Sequence, residues 1–197
     1  MFNLPNILTL VRILVIPFII FFYYLPYHWA HPVTAAIFIV ACITDWLDGY
    51  LARILQLSTR FGAFLDPVAD KVMVSIILIL VVGEPQFQFI SFSRTVWTVP
   101  SFIMTLPAAI IVSREIIVSA LREWMAEIGS RTSIAVSHLG KIKTTIQMVA
   151  LAFLLYCDAS TQASVVITGY IFLYLAAVLT IWSMMIYLKT AWPMMRE

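Results

Sequence analysis

The sequence predicts an all-α integral membrane protein with six transmembrane helices in a single domain, residues 1–197. Three observations carry this. First, 62% of the residues are hydrophobic and only 11% charged, with a mean hydropathy of +0.99. An ordinary soluble domain is about 25% charged, and one of this size keeps roughly a third of its unfolded surface wet, so it could not hide so much apolar area. Second, the apolar residues fall into six runs of the length that crosses a bilayer, about 20 residues. Third, Lys and Arg are unevenly shared between alternate loops. The same composition excludes a disordered chain and a basic nucleic-acid-binding module, and a net charge of +2 gives no pull toward nucleic acid.

The six runs are 7–26, 33–54, 62–82, 98–121, 138–157 and 165–188. The segment 26–32, with a proline at each end, parts the first two. A polar turn at 56–60 parts the second and third, and Gly83, Glu84 and Pro85 end the third. The fourth continues as a charged amphipathic extension and breaks around 129–133, while Asp158 to Gln162 separate the fifth from the sixth. Arg12 lies inside the first run and no small-residue cleavage site follows, so that run reads as a span rather than a cleavable signal. Cys42 and Cys157 sit in apolar surroundings as packing residues, and no CxxC or Cys/His cluster suggests zinc.

Orientation follows the basic residues. Of the 12, Arg94 alone falls to one side, and the other 11 lie at or toward the opposite side. The expectation is a multi-pass protein with both termini, and the loops at 55–61 and 128–137, in the cytoplasm. His28, Trp29 and His31 then belong to an outer interfacial belt.

Charges within a span are costly and point to function. Asp45 and Asp48 are three apart and share a helix face; Asp66 and Asp70 are four apart and share another. Asp48 with Asp66, and Asp45 with Asp70, are symmetric about positions 57 and 57.5, the middle of the polar turn. A helical hairpin folded there brings both pairs to one depth, roughly 10–15 Å below the surface. Four carboxylates together call for cations. Two Mg²⁺ (or Mn²⁺) ions suit their hard oxygens, and paired ions are a known device for displacement at phosphorus. A cation relay, or salt bridges to Arg53, Arg60 and Lys71, stands as the alternative on spacing alone. Gly49 and Gly62 lack side chains and let a backbone or ligand come close.

The whole string reads Asp45-x2-Asp48-Gly49-x2-Ala52-Arg53-x8-Gly62-x3-Asp66-x3-Asp70, eight fixed residues in 26. At every position it resembles the signature of the CDP-alcohol phosphotransferase family. The likeness extends to Asn6-x2-Thr9-x2-Arg12, to residues 61–71, to Ser113-Arg114-Glu115 and residues 121–124, and to Gly140-Lys141-x-Lys143-Thr144-Thr145. These resemble the bacterial members that use a glycerol phosphate acceptor. The resemblance implies a phosphatidyltransferase of phospholipid biosynthesis: CDP-diacylglycerol plus sn-glycerol 3-phosphate gives phosphatidylglycerophosphate plus CMP. It also implies a six-helix homodimer in the bacterial inner membrane, its site open to the cytoplasm and to membrane lipids. It makes Asp45, Asp48, Asp66 and Asp70 metal ligands, with Asp70 also the general base. Asp48, Gly49, Ala52, Arg53 and Gly62 line the CDP site, which Asn6 and Thr9 border.

An acceptor that already bears a phosphate needs cations of its own. Arg114 is a guanidinium inside the fourth run, Lys141 and Lys143 open the fifth, and Arg131 lies between. The functional reading has Arg114 and Lys141 grip the phosphate, with Arg131 and Lys143 in support. The blander one pairs Arg114 with an aspartate and gives the loop cations to anionic headgroups. Glu115 and Glu123 read as partners of arginines, and Asn6, Thr9 and Arg12 as a helix cap and headgroup anchor. The competing functions are a family member with another acceptor, an intramembrane prenyltransferase and a small cation transporter.

Overall fold

A computed structural model describes residues 4–54, 60–92, 95–127 and 138–192. Six helices follow in chain order: α1 (Leu4–Tyr23), α2 (Ala30–Ile54), α3 (Arg60–Gly83), α4 (Phe102–Glu127), α5 (His138–Tyr156) and α6 (Ala163–Ala191). They match the six apolar runs, and α4 extends to Glu127 as its charged tail suggested. The polar turn beyond Ile54 and the 129–133 break lie outside the described residues.

Large hydrophobic side chains face outward over much of the surface, among them Leu14, Phe18, Val40, Ile79, Ile116 and Trp182. An exterior of that kind is at home only in lipid, and the chain is a membrane protein. Three segments are both long and apolar enough to cross a bilayer, Ala30–Tyr50, Phe102–Met125 and Ala163–Lys189. The apolar stretches Ile7–Tyr23 and Ile142–Tyr156 are shorter, and α3 carries Asp66, Asp70 and Lys71 in its first half.

The interior is apolar and closely packed. In α1 the buried positions Thr9, Arg12, Ile16, Ile19 and Tyr23 recur every three or four residues, one helical face. That face lies against both α2 and α3. α5 packs most extensively on α6, where a β-carbon added to Gly169 would meet Leu154 Cδ2 at 2.8 Å. Small residues at that seam let the backbones approach without a bulky spacer. α5 also touches α2 and α3, and α4 touches α6 and α3.

The connection from α3 to α4 differs from the sequence expectation. A 3₁₀ turn (Pro85–Gln88) leads into an antiparallel hairpin of β1 (Phe89–Phe92) and β2 (Thr95–Thr98), with Phe89 opposite Thr98. Alternating aromatic and β-branched residues favour strands here, and their hydropathy led the fourth run to start at 98, four residues before α4. The Tyr170 hydroxyl donates to the Phe87 carbonyl (2.8 Å) and Gln86 Nε2 to the Cys157 carbonyl (3.0 Å). The connector is thereby pinned to the ends of α5 and α6. His28 lies 3.6 Å from Asp158. Burial works against ionisation of Asp158, but hydrogen bonds from Ser160 and Thr161 outweigh it and hold its carboxyl down at about 2. Trp29 stacks on Tyr27 at 5.5 Å, an aromatic belt at this end of the bundle.

The α1–α2 turn, the hairpin connector and the α5–α6 turn thus share one end. Cysteine placed at Ser160 should react with an impermeant maleimide from one membrane face, and cysteine at Ser58 only from the other. Labelling of both from the same face of sealed cells would contradict this arrangement.

Candidate active site

The inward face of α1 delivers Thr9 and Arg12 between α2 and α3, one helical turn apart. Arg12 has only 1% of its side chain exposed. Its Nη1 meets Asp45 Oδ1 at 2.5 Å and Asp70 Oδ1 at 2.6 Å, and its Nη2 meets Asp48 Oδ2 at 2.7 Å. Thr9 Oγ1 donates to Asp66 Oδ1 at 2.5 Å. Two residues of α1 therefore hold all four carboxylates. The expected pairing of Asp45 with Asp70 is met, since both reach the same guanidinium nitrogen. Asp48 and Asp66 are held by different α1 side chains, so the tetrad is not a simple face-to-face hairpin: α1 bridges it.

This corrects the placement of Arg12 as a headgroup anchor: among the described residues it is the salt-bridge partner of the aspartates, Lys71 is not, and the side chains of Arg53 and Arg60 lie outside the described part. The signal was present: an arginine inside an apolar run, one turn from a threonine, is itself a reason to look for a buried carboxylate. Charges about 4 Å apart at an effective dielectric near 20 interact by about 4 kcal/mol, so one guanidinium among four carboxylates offsets much of their repulsion and still leaves the group acidic. Among the described residues no three acidic, cysteine or histidine side chains form a ready-made cation cage; the guanidinium stands where their oxygens meet.

Asp45 and Asp70 are 37% and 41% exposed, whereas Asp48 is 6% exposed. The first two open onto a cavity of about 750 Å³ between α2, α3, α4 and α5. Its polar lining comprises Asp45, Asp70, Lys71, Glu115, Thr144 and Thr145 at one end. Its apolar wall runs along α2 and α5 past Phe38, Ile43, Trp46, Met148 and Phe153.

Glu115 is the hub of a second cluster. Its Oε1 accepts from Lys143 Nζ at 2.6 Å and from Arg114 Nη1 at 3.0 Å. Arg114 Nη2 donates to Ser183 Oγ of α6 at 2.9 Å, and the guanidinium lies 5.8 Å from the Tyr187 ring centroid. Arg114 Nε is buried with no hydrogen-bond partner among the described residues. Both cations are buried. The carboxylate on Arg114 is a glutamate, as the reading of Glu115 anticipated, not an aspartate. Ser183 and Tyr187 carry no motif that would have shown them in the sequence.

Gly49 has nothing within 4 Å of an added β-carbon, so the space beside Asp48 is open, and Gly62 is buried. Asn6 lies on α1, Ala52 and Arg53 on α2, and Lys141 on α5, but their side chains lie outside the described part. Arg131 lies outside the described residues altogether.

A helical membrane fold in which Asp45, Asp70, Lys71 and Glu115 line one cavity, with Arg12 and the Arg114–Lys143 pair in contact with those carboxylates, fits a class, the membrane-embedded phosphotransferases. The family model described as CDP-alcohol phosphatidyltransferase matches residues 2–182, and the chain belongs to that family. Among curated relatives it is similar to the CDP-diacylglycerol–glycerol-3-phosphate 3-phosphatidyltransferase of Salmonella choleraesuis, 52% identical over 190 residues, 96% of this chain and 95% of that protein. The Escherichia coli K12 protein of the same name is 51% identical over 190 residues, with the same coverage. That of Yersinia enterocolitica is 50% identical over 195 residues, 99% and 98% of the two chains. The prenyltransferase and transporter alternatives fall with this assignment.

If Arg12 holds the tetrad together, Arg12→Met should destabilise the protein in detergent by about 3–5 kcal/mol, the cost of removing one partner of a buried ion pair. Adding Asp48→Asn should recover part of that loss. Strictly additive losses in the double variant would contradict the coupling.

Proposed function

We propose that the protein transfers the phosphatidyl group of CDP-diacylglycerol to sn-glycerol 3-phosphate, releasing CMP and phosphatidylglycerophosphate, the reaction named for the relatives above. One observation carries the reading: a single cavity brings together Asp45 and Asp70 of the tetrad, Glu115 of the Arg114–Lys143 cluster, and an apolar wall. Those are the three environments a nucleotide lipid donor and a phosphorylated acceptor require. The site works at the cytoplasmic face of the inner membrane, all six helices crossing it, in a homodimer.

Asp45, Asp48, Asp66 and Asp70 fit two divalent cations, Mg²⁺ or Mn²⁺: they are hard oxygen donors already gathered around one positive charge. When bound, such ions neutralise the donor pyrophosphate and make its phosphorus more electrophilic. Asp48, Gly49, Ala52, Arg53 and Gly62, with Asn6 and Thr9, border the nucleotide. The open space beside Gly49 supports that placement. The acyl chains of the donor follow the apolar wall of α2 and α5.

Arg114 and Lys143, with Lys141 and Arg131, hold the acceptor phosphate. The partnerless Nε–H of Arg114 supports this, because a buried donor left unpaired is costly. Asp70 faces the cavity, takes the proton from the acceptor hydroxyl, and the resulting oxygen attacks the phosphorus. The new P–O bond forms as the bond to CMP breaks, and CMP leaves with that electron pair.

Purified protein with CDP-diacylglycerol should release CMP when given glycerol 3-phosphate, far faster than with serine or inositol phosphate, and excess chelator should stop it. Asp70→Asn should bind the donor yet turn over at least about 10²-fold more slowly, the scale of general-base help. Undiminished turnover in Asp70→Asn would remove it as the base, and equal rates with all acceptors would overturn the substrate assignment.

A further inference from the structure

Lys71 has no part in the chemistry above. It follows Asp70 on α3, lines the same cavity, and is the one basic residue among the described residues that line it. Its ammonium has three N–H groups, and the partner it meets is a neutral one, Ser119 Oγ at 2.5 Å. Among the described residues it makes no ion pair, in contrast to Arg12, Arg114 and Lys143, each of which rests on carboxylate. An ammonium inside a membrane-spanning helix is expensive to maintain without an anion. Lys71 is therefore, among the described residues, a cavity-lining cation without a direct carboxylate partner.

Its position selects the anion. Ser119 lies one turn beyond Glu115 on α4 and Lys71 follows Asp70 on α3, so the Lys71 ammonium reaches from the helix of the tetrad to the helix of the Arg114–Glu115–Lys143 cluster. Arg114, Lys143 and Lys71 against Glu115 leave two positive charges, which match the two negative charges of a phosphomonoester. The four aspartates against Arg12 leave the other wall acidic, and a phosphomonoester there would be repelled. We infer that Lys71 is a substrate-binding residue for the phosphomonoester of the acceptor, leaving Ser119 to grip it and so setting the acceptor hydroxyl beside Asp70. The inference rests on the acceptor reading above. The donor also contains phosphate, so the test separates the two sources.

The experiment is steady-state kinetics of the full-length protein, with CMP release as the signal, for Lys71→Gln and the charge-retaining Lys71→Arg. Lys71→Gln should raise the KM for glycerol 3-phosphate about 10- to 100-fold, the span of a charge-assisted hydrogen bond. The KM for CDP-diacylglycerol should stay within about twofold. Lys71→Arg should recover most of the acceptor affinity, and the preference for glycerol 3-phosphate over glycerol should shrink in Lys71→Gln alone. A rise in donor KM instead, or a fall in kcat with both KM values unchanged, would overturn the inference. If Lys71→Gln does not fold, wild-type protein supplies the test: glycerol 3-phosphate, and not CDP-diacylglycerol, should protect Lys71 from acylation, read by peptide mass spectrometry. Equal modification with and without glycerol 3-phosphate would overturn it as well. Loss of wild-type CMP release with glycerol 3-phosphate would speak against the reaction itself, whereas normal wild-type turnover with an unchanged acceptor KM in Lys71→Gln speaks against Lys71 alone.

Discussion

The guanidinium of Arg12, buried among Asp45, Asp48 and Asp70, is the contact on which the arrangement of the first three helices depends. Four carboxylates in a low-dielectric setting repel one another, and among the described residues α1 packs on α2 and on α3 far more than those two pack on each other. α1 supplies the opposing force twice, through Arg12 and through the Thr9 bond to Asp66 one turn earlier. The apolar residues further along the same face of α1, Ile16, Ile19 and Tyr23, continue the contact into the core. A buried ion pair adds little net stability against a well-packed apolar alternative, so its value here is geometric: it fixes which carboxylates are sealed and which face the cavity. Asp48 is sealed, and Asp45 and Asp70 are open.

The second consequence is a gathering of charge at one cavity. Asp45 and Asp70 line it from α2 and α3 with Lys71 beside them, and Glu115 lines it from α4, in contact with the buried Arg114 and Lys143. A phosphorylated acceptor and a pyrophosphate donor are both anionic and would repel each other in a common pocket. On the reading proposed above they bind together, the donor through cations held by the tetrad and along the apolar wall, the acceptor through the basic cluster.

The aspartates were legible because their spacing, three and four, is that of a helix face and because charges in an apolar run are conspicuous. Their mirror symmetry about the polar turn correctly joined Asp45 to Asp70. It gave no sign of α1, since spacing along two helices says nothing of a third helix packed on both. Arg12 and Thr9 are single residues with no repeating pattern, and their partners lie 33 to 58 positions away in the chain. Ser183 and Ser119 were silent for the same reason. The hairpin between α3 and α4 was absorbed into a hydropathy run because aromatic and β-branched strands are as apolar as a helix. The six helices themselves were legible to within a few residues, because apolar length is what a bilayer selects.

If donor and acceptor bind together as proposed above, the reaction is a single displacement. No cysteine or histidine in the described site is paired with a base to form a phosphatidyl-enzyme, and Ser119 accepts a hydrogen bond from Lys71 rather than giving one. The stereochemical course at phosphorus tests this most directly, using CDP-diacylglycerol made chiral at the transferred phosphorus by sulfur substitution. One direct attack predicts inversion of configuration in the phosphatidylglycerophosphate formed. Net retention would mean two displacements through a covalent intermediate, and would contradict the account of a cavity that holds donor and acceptor together.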